Sequence, residues 1–108
     1  MALIALLCPD LLFGSRVEGA LRAAGHEVVR VDSAAGASEA ALLVIDLTAD
    51  PEERLAGVGA AGAPPALGFY SHVEQDVRHK AEQAGVDKVV PRSRMAREGA
   101  ALVQGMLR

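Results

Sequence analysis

Apolar residues fall into two rhythms along the 108-residue chain. Short blocks of strand length run from Ala2 to Leu7, His26 to Asp32, Ala41 to Leu47, Ala66 to Tyr70 and Val86 to Val90. Each is apolar throughout or β-branched and predicts a β-strand. Between them apolar positions recur at helical spacing: Phe13, Val17, Leu21 and Ala24; then Val73, Val77, Ala81 and Ala84; then Met95, Leu102, Val103 and Met106 in a last helix from Ser93. Asp10 is placed to cap the first helix and Gly25 to stop it. In "ADPEER", Asp50 is placed to cap, Pro51 suits the first helical position, and Glu52 and Glu53 fall where the helix dipole favours negative charge. That helix dissolves in the glycine-rich "GVGAAGAPP", and "SAAGASEA" offers only a short, weak helix.

Five strands alternating with five helical segments predict an α/β fold. Residues 1–108 form one domain, a five-stranded parallel sheet with helices on both faces, joined by right-handed crossovers. The wholly apolar block ending at Asp46 predicts a central strand covered on both sides. In open sheets of this kind ligands and catalysis sit at the carboxyl ends of the strands. Those ends are Cys8 to Asp10, Asp46 to Thr48, Ser71 with His72, and Pro91 to Ser93.

Composition narrows the picture. Hydrophobic residues make up 51% of the chain and charged residues 23%, with three aromatics, which predicts an ordered domain with an aliphatic core. A net charge of -3 gives no basic footprint for nucleic acid; Arg92, Arg94 and Arg97 read as a solvated helix face. One cysteine, Cys8, makes no internal disulfide. The opening "MALIALL" has no basic segment before it and is too short to span a bilayer, so the expected setting is cytoplasmic, without a membrane partner.

Three placements together resemble the receiver domain of bacterial two-component response regulators, the CheY-like, flavodoxin-like family: "VIDLT" with Asp46 ending the third strand, "GFYSH" with Ser71 ending the fourth, and "AGVDKVVPRSR" with Arg92 ending the fifth. The resemblance covers essentially the whole chain, with the second and third helices shortened. It implies that Asp46 stands where the family accepts a phosphoryl group, Ser71 where a hydroxyl bonds that group, and Arg92 where a lysine neutralises it. The family also holds Mg²⁺ with two adjacent acids after the first strand, and here those places carry Cys8 and Pro9. Neither a thiol nor a proline ring replaces a carboxylate for Mg²⁺. Asp10 reads as a helix cap, and a one-residue shift of the alignment makes it a metal position beside Asp46. Val89 replaces an aromatic, and Pro91 precedes Arg92 where the family has a proline after its lysine. If Asp46 and Arg92 face each other, the guanidinium and carboxylate form a permanent salt bridge; otherwise Asp46 is a polar strand end and Arg92 a solvated loop residue.

Other chemistry finds less support. Cys8 has the position of the nucleophile in phosphocysteine carriers and low-molecular-weight tyrosine phosphatases. However, Pro9 removes an N–H from any phosphate loop and Gly14 stands where a phosphatase needs arginine, leaving a structural thiol. His26, His72 and His79 are scattered without a second ligand at metal spacing. The expectation is a stand-alone pseudo-receiver without cofactor or enzymatic activity. It would contact another signalling protein or a second copy of itself through Glu74, Arg78, Arg94 and Arg97, unless these are merely solvating charges. The alternatives are a phospho-accepting receiver using Asp46 and Mg²⁺, and a thiol carrier or phosphatase using Cys8.

Overall fold

The structure, a computed structural model, describes residues 2–71 and 73–107. Along the chain run β1 (Leu3–Leu7), α1 (Leu11–Ala23), β2 (Glu27–Arg30), a single 3-10 turn (Ala34–Ala37), β3 (Leu42–Asp46), α2 (Pro51–Leu55), β4 (Ala66–Tyr70), α3 (Gln75–Ala84), β5 (Lys88–Pro91) and α4 (Arg92–Met106). The strands form one parallel sheet in the order β2-β1-β3-β4-β5. All five expected strands are present, and the second and third helical segments are short.

Strand alternation divides the core into two layers. Ile4, Leu6, Val44, Leu67, Phe69 and Val90 face α1 and α4, meeting Phe13, Val17, Leu21, Met95 and Val103. Ala5, Leu7, Leu43, Ile45, Tyr70 and Val89 face the other way, where Ala34, Ala37, Leu55, Val77 and Ala81 cover them. Small alanines suffice on the second face because only one 3-10 turn and a five-residue helix cover β1 and β3 there.

Three local expectations are corrected. Val73 is 74% exposed: it lies in a turn closed by Glu74 N–H to Ser71 O, and α3 starts only at Gln75, so the buried stripe is Val77 and Ala81. Asp50 adopts left-handed backbone angles (φ 49°, ψ 51°) and its side chain makes no capping bond to α2. The last helix begins at Arg92, one residue early and directly off β5. Asp10 does cap α1, its Oδ1 accepting the Phe13 N–H at 3.0 Å.

Candidate functional site

Parallel pairing brings the strand ends into one row, with Leu7 level with Ile45 and Asp46 level with Phe69. Cys8, Asp46, Ser71 and Arg92 therefore all lie at the carboxyl edge of the sheet. Asp46 is 4% exposed, so its carboxylate needs partners within the chain. Thr48 supplies two of them: its N–H reaches Asp46 Oδ1 at 2.8 Å and its hydroxyl donates to the same oxygen at 2.6 Å. Cys8 supplies the third, with Sγ 3.6 Å from Asp46 Oδ2 and equally far from the Asp10 carbonyl. Burial, then the Asp46 charge and hydrogen bond, push the thiol from its ordinary 9.0 up to about 11. It is a proton donor to Asp46 at neutral pH and not a thiolate.

The Asp46–Arg92 salt bridge does not form. Because α4 starts directly after β5, the Arg92 side chain extends across the first turn of α1. Its Nη2 lies 3.4 Å from Asp10 Oδ2 and its guanidinium carbon 4.2 Å above the centre of the Phe13 ring. Phe13 in turn packs on Phe69 of β4, ring centres 5.0 Å apart. Arg92 is thus satisfied by the capping carboxylate and a π face of α1, and Asp46 by neutral donors from the residue after β1 and from its own turn. What each polar strand end meets is set by where its chain segment runs next, here straight into α4 for Arg92.

The donor set does not fit Mg²⁺. The two residues after β1 are a thiol that keeps its proton and a proline ring, neither of them an oxygen donor. Both carboxylate oxygens of Asp10 are engaged, one capping Phe13 and one facing Arg92. Among the described residues no group of three or more His, Cys, Asp and Glu side chains is arranged to hold a metal. At the same edge opens a cleft of about 560 Å³ whose lining includes Asp10, Arg16, Thr48, Ser71, Arg92 and Ser93 but not the buried Asp46.

The remaining sequence candidates lie elsewhere. His26 is buried at the opposite end, where Nδ1 accepts the Ala2 N–H at 3.2 Å; His79 is exposed on α3; His72 lies outside the described residues. Glu74 precedes α3 and is exposed. Arg78 pairs with Glu82 at 3.6 Å, and Arg94 and Arg97 both pair with Glu98, at 3.7 and 3.4 Å. Two arginines escaped the sequence reading. Arg30 donates to the Cys8 carbonyl at 2.7 Å, and Arg54 to the Asp46 carbonyl at 3.2 Å. Thr48 had a visible signal, since an acid followed two residues later by threonine after a strand is the pattern of an Asx turn.

No protein-family model matches the chain, and no curated protein matches it. Solved structures do. A response-regulator receiver domain from Bermanella marisrubri superposes with a TM-score of 0.79 at 16% identity over 96% of both chains. The receiver domain of the putative response regulator NarL from Mycobacterium tuberculosis gives 0.77 at 22% identity, over 96% of this chain and 94% of that one. The Mn²⁺-bound form of the response regulator Rcp1 gives 0.71 at 17%, over 98% and 91%. At these identities the likeness is one of architecture: the chain has the receiver-domain fold of response regulators.

Proposed function

We propose that this chain is a pseudo-receiver, a regulatory module that keeps the receiver architecture and acts through protein contacts without conventional Mg²⁺-dependent phosphotransfer. The observation that carries the reading is the state of Asp46. Both its oxygens are bonded inside the chain, one to Thr48 and one facing the Cys8 thiol, at a position only 4% exposed. An incoming phosphoryl group would have to displace those donors. No acid pair would then hold the cation that neutralises its charge, whereas the Rcp1 neighbour was solved with Mn²⁺. A module of this kind signals by what binds it, and the charged flanks of α3 and α4 (Glu74, Arg78, Arg94 and Arg97) are its proposed contact face.

Incubation with acetyl phosphate, or with beryllofluoride, in the presence of Mg²⁺ tests this. The expected result is an unchanged intact mass and no metal-dependent shift of the Asp46 and Thr48 amides. A stoichiometric aspartyl phosphate would instead establish a phospho-accepting receiver. Restoring the acid pair by Cys8→Asp with Pro9→Asp should introduce Mg²⁺-dependent shifts at Asp46, because a carboxylate then stands where Sγ is now 3.6 Å from Oδ2.

A further inference from the structure

The carboxyl edge of the sheet holds a second concavity, which shares no lining residue with the cleft beside Thr48, Ser71 and Arg92. Its volume is about 480 Å³, within the range of small-molecule sites. It gathers residues that follow β1, β2 and β3. In the strand order β2-β1-β3-β4-β5 the chain reverses direction across the sheet between β1 and β3, and the crevice outside such a reversal is where open α/β sheets bind ligands.

The lining carries four charged side chains: Arg30 and Asp32 from the end of β2, and Glu53 and Arg54 from α2. Two of the cations are held in place. Arg30 lies across Gly14, where any Cβ would overlap its guanidinium, bonds the Cys8 carbonyl and pairs with Glu18 at 3.4 Å; Arg54 bonds the Asp46 carbonyl. Arg54 is half-buried, yet among the described residues it has no carboxylate within ion-pair distance. Asp32 and Glu53 line the same cleft and pair with neither arginine. Beside these charges lie Val31 and Leu11, the latter 76% exposed at the lip. Fixed cations, uncommitted acids and an apolar wall in one cleft match a ligand carrying all three complements.

We propose that this cleft binds a small zwitterion with an apolar body, of which an apolar α-amino acid is the simplest. Its carboxylate meets the Arg54 guanidinium with Arg30 beside it, its ammonium faces Asp32 and Glu53, and its side chain covers Leu11 and Val31. Both arginines are anchored on the carbonyls of the residues that form the Cys8–Asp46 pair, so occupancy bears directly on the strand ends. The site would give a module without phosphotransfer a non-covalent input. That role rests on the pseudo-receiver reading, whereas the binding itself does not.

The test is an amide NMR titration of the full chain with L-leucine, isocaproate, which lacks the ammonium, and isoamylamine, which lacks the carboxylate. Leucine should give saturable shifts at Cys8, Leu11, Val31 and Arg54. The other two should bind weaker by about tenfold, the loss expected for one charge-assisted contact. Arg54→Gln should weaken leucine by a similar factor. Leu11→Ser, at an exposed position that leaves folding intact, should weaken it too, and Arg92→Gln should leave it unchanged. The proposal is overturned if leucine gives no saturable shifts, if isocaproate binds as well as leucine, if Arg54→Gln or Leu11→Ser has no effect, or if the shifts centre on Ser71 and Ser93. Failure here with no acetyl-phosphate labelling removes only this site; labelling with leucine binding intact removes only the pseudo-receiver reading.

Discussion

The Cys8 thiol keeps its proton and directs it at Asp46, and the consequences can be measured. The folded chain holds the thiol near 11 while the unfolded chain releases its proton near 9.0, so the stability tied to the neutral thiol is fully present below about pH 9 and lost as pH rises toward 11. Two units correspond to at most about 2–3 kcal/mol. Other groups titrate in the same window, so the measurement is the difference between the parent and Cys8→Ser in denaturant midpoint across pH 9 to 11. The parent should lose more, and iodoacetamide labelling at neutral pH should be slow in the folded state. Near neutral pH, Cys8→Ala should cost about 1–3 kcal/mol because it strips a donor from a buried carboxylate, and Cys8→Ser should cost less because it keeps one. If the two substitutions cost the same, the thiol contributes packing alone. The sequence placed Cys8 and Asp46 at strand ends, since an acid closing an apolar block is visible in one dimension. It did not reveal that they meet, because pairing across 38 positions depends on which strands become neighbours.

The capping of α1 by Asp10 was legible because a cap involves residues three apart, Asp10 and Phe13, and little else. The strands were legible for a related reason: a block such as Leu42–Asp46, buried at every position, has no other place to go. Val73 and Asp50 misled for the opposite reason. Each fits a local pattern, but the turn closed at Ser71 carries Val73 off its helix face, and a left-handed backbone turns Asp50 from the first N–H groups of α2. Arg92 belongs with them, since its partners on α1 exist only once β5 runs straight into α4. These origins separate in a double-mutant cycle. Asp10→Ala should cost about 1 kcal/mol through the lost cap. The coupling between Asp10 and Arg92 should fall below that, because the pair is 3.4 Å apart with both side chains nearly half exposed. Coupling as large as the cap would mean that Arg92 clamps α1 onto α4, and chemical denaturation of the two single variants and the double variant reads it directly.

At the scale of the whole molecule, a module whose acid is committed internally has its contact face permanently available, so association should not depend on Asp46. Asp46→Asn is a fair probe because the asparagine oxygen still accepts both Thr48 donors that now meet Oδ1. The proposed contact face is probed on α4, where Arg94 and Arg97 both lean on Glu98. Changing both to Glu reverses the sign of the rim and removes those pairs. The helix loses a few tenths of a kcal/mol with the Arg94–Glu98 pair and about as much again from the like charges that replace it, too little to unfold the chain, while the reversed rim opposes a complementary partner. Sedimentation for a second copy of this chain, and pull-down for another protein, should show Asp46→Asn associating like the parent and the double Glu variant associating more weakly, with the difference shrinking in high salt as screening removes the charge term. The opposite pattern, with the double Glu variant unchanged and Asp46→Asn impaired, would return control to the acid pocket and reduce the arginines of α4 to solvation.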